Sequence, residues 1–127
     1  MSPARLSKLE TAMRIVLAYN EAFNRHDING IMELLSDECV FEESTPAPDG
    51  SAYKGKDEIR NFLQDYLRGS PEAHFEIEEV FGMGERCIMR WKAKREGTGE
   101  EKEYVRGVDI FRVRGGSICE KLSYVKG

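Results

Sequence analysis

Apolar residues are spaced in two ways along this chain. Up to about residue 68, a short stretch at residues 39–43 apart, they recur at three- and four-residue steps, and from about residue 73 they alternate with polar ones. The first pattern (Leu6, Leu9, Met13, Val16, Leu17, Asn20, Phe23) predicts a helix from Ser2 or Pro3 to about Asn24, with one polar position in its apolar stripe. Tyr19 lies on the flank of that stripe, where a tyrosine can lay its ring on the core and point its hydroxyl into an enclosed space. Arg25-His26-Asp27 breaks the pattern. Asp27 is a good N-cap for a second helix, Ile28–Leu35, which turns Ile31, Leu34 and Leu35 inward, while His26 reads as a capping or surface residue. A third helix is predicted from about Lys56 to Arg68, packing Ile59, Phe62, Leu63, Tyr66 and Leu67, with Gly69 just past its end.

Alternation appears first in Cys39-Val40-Phe41-Glu42-Glu43, a short strand with Cys39, Phe41 and Glu43 on one side. The segment Ser44–Ser51 that follows has the composition of a loop at the rim of a binding site. Longer strands are predicted at Ala73–Phe81, Arg86–Arg95, Glu103–Val113 and Ser117–Val125, joined by short hairpin-like connections at Gly82–Glu85, Glu96–Glu100 and Gly115-Gly116. The doubled Glu78-Glu79 breaks the alternation of its strand and predicts a bulge. Cys87, Met89, Trp91 and Ala93 share one face of the next strand. In the one after it, Val105, Gly107, Asp109, Phe111 and Val113 are in line.

Two acids therefore fall on faces that should meet the interior, Glu43 and Asp109. A buried carboxyl costs several kcal/mol unless it is protonated, paired or hydrogen-bonded. Either these are structural carboxylates with partners, or they are pocket acids with raised pKa values and work to do. Three helices followed by four long antiparallel strands make a single α+β domain spanning residues 1–127. Its picture is a strongly curved sheet wrapped around the first helix, with a ready pocket at the mouth of the cone.

Composition narrows the function classes. With 40% hydrophobic and 33% charged residues the 127-residue chain is an ordinary globular protein with one core. A net charge of −4 argues against a general nucleic-acid binder, and the basic runs Arg90–Arg95 and Arg112–Arg114 alternate with apolar residues as solvated strand faces do. Cys39, Cys87 and Cys119 are widely spaced, with no C-x-x-C and no clustered His; neither a disulfide framework nor a metal site is expected, which points to a reducing, cytoplasmic setting. No segment has the apolar core of a signal peptide or the length to span a bilayer.

Three stretches carry a resemblance: Tyr19–Ile31, Tyr53–Ile59 and Val108–Ile118. With the element order, they make the chain similar to the nuclear transport factor 2-like superfamily, especially its SnoaL-like and ketosteroid isomerase-like members. That resemblance implies a cystatin-like roll, a curved antiparallel sheet that is mixed at its edge. It implies a homodimer through the sheet face carrying Ile88, Arg90, Val108 and Ile110. Matched position by position with the isomerases, Tyr19 stands where a hydrogen-bonding tyrosine is found, Glu43 where an aspartate acts as base, and Asp109 where a protonated aspartate sits in an Asp-x-Phe step. That enzyme is a standard example of an acid kept neutral by an apolar site. Two departures stand out: Glu43 is one methylene longer than the matching aspartate, and Ser44 follows it where a proline is common. The epoxide hydrolase pattern is disfavoured, because Gly107 occupies the place of its arginine.

The resulting expectation is a cofactor-free and metal-free site. There Glu43 removes a proton beside the carbonyl of a small apolar molecule while Tyr19 and Asp109 bind the enolate oxygen. Phe41, Met89, Trp91 and Phe111 are the candidate walls. A SnoaL-type cyclase using Asp109 is a neighbouring activity. A non-catalytic module that binds a ligand or dimerises is the alternative of another class.

Overall fold

The computed structural model describes residues 3–94 and 104–126. Three helices, α1 (Pro3–Asn24), α2 (Ile28–Leu34) and α3 (Lys56–Gly69), accompany six strands: β1 (Leu35–Glu43), β2 (Ser51–Lys54), β3 (Phe75–Met83), β4 (Arg86–Lys94), β5 (Tyr104–Arg114) and β6 (Ser117–Val125). The strands form one sheet in the order β2-β1-β6-β5-β4-β3. Every neighbouring pair is antiparallel except β1 and β6, which run parallel. The α+β cone with a mixed edge is therefore present as expected. The connection expected at residues 96–100 and the predicted strand ends at Arg95 and Glu103 lie outside the described residues.

Inward faces follow the alternation. Cys87, Met89 and Trp91 of β4 and Gly107, Asp109, Phe111 and Val113 of β5 are buried, as are Cys39 and Phe41 of β1. The bulge expected at Glu78-Glu79 is present as a register shift between Ile77 and Glu79. β3 runs two residues later than the expected Ala73–Phe81, α2 stops one residue short of Leu35, and two larger departures stand at β1 and β2. β1 begins at Leu35 rather than Cys39, through the polar run Ser36-Asp37-Glu38, and the four-residue edge strand β2 pairs with it in what reads as loop and connection. Backbone pairing decides both; side-chain pattern does not reveal an edge strand whose outer residues are solvated.

α1 lies against the concave face, with Val16, Tyr19 and Phe23 buried. Its C-terminal end is fastened to the start of β3. The Asn24 side chain accepts from the Phe75 amide at 2.8 Å and donates to the Phe75 carbonyl at 3.0 Å, and Asn20 donates to the same carbonyl at 3.1 Å. His26, in the left-handed region at φ 58°, donates from Nε2 to the Ala73 carbonyl at 2.9 Å. The polar position in the apolar stripe of α1 is thus a fastener to the sheet. Asp27 caps α2 by accepting from the Gly30 amide at 3.0 Å, as its position predicts. No helix among the described residues is long and apolar enough to cross a membrane.

Candidate active site

Aromatic side chains collect at the open end of the cone. Trp91 stacks on Phe75 with centroids 4.6 Å apart and an interplanar angle of 14°, and Phe75 stacks on Phe23 at 4.9 Å and 12°. Phe23 meets Tyr66, which meets Phe62. These five rings flank a cavity of about 320 Å³, within the range of small-molecule sites. Gly107 makes room for one end of the arc. A Cβ there would lie 2.5 Å from Cζ2 of Trp91 and 2.6 Å from the Tyr124 carbonyl oxygen, so only glycine lets the indole lie across β5.

The buried end of the cavity is polar. Tyr19, Glu43, Lys121 and Ser123 line it, while the exposed Thr45, His74 and Lys94 stand at the opening. Lys121 is only 5% exposed, and its Nζ donates to Glu43 Oε2 at 2.8 Å and to Ser123 Oγ at 3.2 Å. It also lies 4.7 Å from the centroid of the Phe41 ring. Ser123 in turn donates to Asp109 Oδ1 at 2.7 Å. A continuous chain, Glu43–Lys121–Ser123–Asp109, thus sets one ammonium against two carboxyls.

Electrostatics follow from burial and this chain. Burial alone would lower the Lys121 pKa, but the adjoining Glu43 carboxylate, with Tyr19 and Asp109, holds it above the usual lysine range. Lys121 is therefore an ammonium at neutral pH. Burial drives the Tyr19 phenol well above its usual value; Lys121 opposes this, and Glu43 and Asp109 reinforce it. Tyr19 is thus a neutral hydroxyl and a hydrogen-bond donor. Its ring is held edge-on by Phe41 and Phe111, at centroid distances of 6.1 and 5.4 Å.

The three candidate catalytic residues are placed unequally. Tyr19 and Glu43 line the cavity; Asp109, 2% exposed, stands behind Ser123 and does not. Of the four candidate walls Trp91 lines the cavity, whereas Phe41, Met89 and Phe111 are fully buried in the core beneath it. Among the described residues no group of three or more His, Cys, Asp or Glu side chains is placed to hold a metal ion.

Lys121 and Ser123 are the site residues that sequence reading misses. Strict alternation from the buried Ile118 would turn Lys121 outward. A register shift in the β5–β6 pairing, Arg112 facing Glu120 but Val113 facing Ile118, inserts Cys119 and changes the phase, so Ile118 and Lys121 both point inward. The signal that survives is the in-line pair Lys121 and Ser123, with Ser123 opposite Asp109.

The fold is a cone whose cavity has an ionic floor, and comparison with known proteins agrees with the fold. The chain belongs to the SnoaL-like domain family, whose profile matches residues 16–121. No curated protein matches it. Among solved structures it is similar to a nuclear transport factor 2-like protein of unknown function from Mesorhizobium loti, with 34% identity, 94% of each chain covered and a TM-score of 0.80. It shares its fold with a putative ketosteroid isomerase from Kribbella flavida (14% identity, 94% of this chain and 81% of that one, TM-score 0.78). The same is true of TerC co-crystallised with polyporic acid (16% identity, 91% and 92%, TM-score 0.77).

Proposed function

We propose that the cavity binds a small, flat, largely apolar carbonyl compound and moves a proton next to its carbonyl group, as an isomerase or cyclase does. The observation that carries this reading is a carboxylate, a neutral phenol and an ammonium sharing the buried end of an aromatic cavity. Glu43 is the base. Its Oε2 is held by Lys121, which fixes the direction of the carboxyl group. Tyr19 donates to the developing enolate oxygen, and Lys121 supplies positive charge beside it. Preorganised donors of this kind are worth roughly 3–4 kcal/mol each in the transition state. Asp109 acts one step back, holding Ser123, which holds Lys121. The chemistry asks for no metal or organic cofactor. Likeness to the putative isomerase and to TerC supports a small-molecule site of this class.

A specific test is deuterium exchange at the α-carbon of 2-tetralone in D2O, followed by NMR. The protein accelerates exchange, Glu43→Ala abolishes the acceleration, and Tyr19→Phe reduces it about 10²-fold. Tetralone that binds without any accelerated exchange would overturn the catalytic reading. One observation favours a second reading, a non-catalytic binding module: Glu43 Oε2 is already paired with the Lys121 ammonium at 2.8 Å rather than presented unpaired to a substrate. Binding without exchange is the outcome that reading expects. In either case the protein is proposed to be a homodimer through the outer sheet face that carries Ile88, Arg90, Val108 and Ile110.

A further inference from the structure

We propose that Lys121 is the receptor for an organic oxyanion: an aromatic carboxylate enters the cavity, displaces Glu43 from the ammonium, and binds together with one proton that Glu43 takes up. This rests on the reading of the cavity as a small-molecule site and adds a second class of ligand to it, one that silences the base, because Glu43 is protonated while the carboxylate is bound.

The groups facing Lys121 fix the argument. Tyr19 approaches from α1, Cys39 and Glu43 from β1, Asp109 from β5, and Ser123 from its own strand. The Phe41 ring closes another side. Asp109 is locked behind Ser123 and cannot move toward a ligand without leaving that bond. Glu43 is different. It lines the cavity, its side chain is 18% exposed, and it ends β1 where the chain enters the loop that borders the opening. It is therefore the partner that an incoming carboxylate can replace, because the exchange keeps the buried ammonium paired throughout.

Charge count then dictates the proton. With the ligand in place, three carboxyl groups would surround one ammonium in a site closed by aromatic rings, and like charges there are held apart only at high cost. One carboxyl must be neutral. Tyr19 cannot relieve the excess, since its hydroxyl is already protonated and serves as a donor. Glu43, released from Lys121 into an aromatic cavity, is the group that loses its counter-charge and takes the proton. At the opening, His74 and Lys94 present basic groups to an arriving anion.

The test uses two ligands of the same shape, naphthalene-2-carboxylate and the neutral 2-acetylnaphthalene. Each is titrated calorimetrically at neutral pH in two buffers of different ionisation enthalpy. The carboxylate is expected to bind with uptake of one proton, its affinity falling about tenfold per pH unit on the alkaline side where uptake is complete. The ketone binds with no proton exchange. Glu43→Gln removes the competitor for Lys121, so the carboxylate binds roughly tenfold tighter and the proton uptake disappears. The double variant Glu43→Gln/Lys121→Met, which leaves Asp109 as the one remaining ionic group and keeps its bond from Ser123, loses the carboxylate. If the ketone binds and the carboxylate does not, binds without proton uptake, or is weakened by Glu43→Gln, the inference is overturned while the cavity stands. If neither ligand binds, both fall.

Discussion

Lys121 decides the character of the site at the level of single residues. Its ammonium is nearly sealed from water, and the cost of burying it is offset by Glu43 at 2.8 Å, by Ser123, and by the Phe41 face. Removing one partner of such a pair costs far more than removing both. Lys121→Met leaves Glu43 and Asp109 facing each other's charge with no cation between them, and is expected to destabilise the fold by about 3–5 kcal/mol. Adding Glu43→Gln to that variant recovers most of the loss. Urea unfolding of Lys121→Met, Glu43→Gln and the double variant closes the cycle; single losses that simply add up to the double loss would show that the ion pair contributes no coupling. Burial also keeps the core thiols protonated, Cys39 pushed up to about 12 and Cys87 to about 11, so neither is a nucleophile at neutral pH.

At the scale of elements, the strands were legible where alternation is unbroken and illegible where a bulge shifts it. β4 and β5 present the faces expected of them, because each runs as a regular ladder against the other from Arg86–Arg112 to Lys94–Tyr104. That regularity is why Asp109 could be placed inside from the sequence alone. β6 carries one extra residue near Cys119, and one residue is enough to exchange its faces, so Lys121 was hidden. The helix-phase argument placed Tyr19 correctly against the interior, yet nothing in α1 announced that Asn20 and Asn24 fasten it to β3; that depends on a partner backbone 51 to 55 positions away. Gly107 shows the opposite case, a residue whose meaning is set by its neighbour on β4. Gly107→Ala drives a methyl group into the Trp91 indole and is expected to cost about 1–3 kcal/mol. Trp91 is the only tryptophan, so its fluorescence reports the displacement directly, by a shift to longer wavelength. An unchanged emission spectrum would mean that the indole does not rest on β5.

For the molecule as a whole, the sheet has two unlike faces. The inner one holds the core and the cavity. The outer one carries a shallow groove lined by Arg90, Arg106, Val108 and Tyr124, with Tyr124 57% exposed. Exposed aromatic and apolar groups rimmed by charges suit an association surface, and the proposed homodimer uses it. Light scattering at micromolar concentration is expected to give twice the chain mass, and Val108→Glu to halve it. A monomer mass for the unaltered protein contradicts the dimer without touching the cavity, because Lys121, Glu43 and Tyr19 all lie on the other side of the sheet.

The single parallel pairing, β1 with β6, has a temporal consequence. It brings together Glu43 and Lys121, which are 78 positions apart, so one half of the floor leaves the ribosome 78 residues ahead of the other. Until β6 slots in between β1 and β5, Glu43 has no counter-ion and the cone has a missing stave. The polar floor of the cavity is therefore assembled only in a chain whose β6 has already docked.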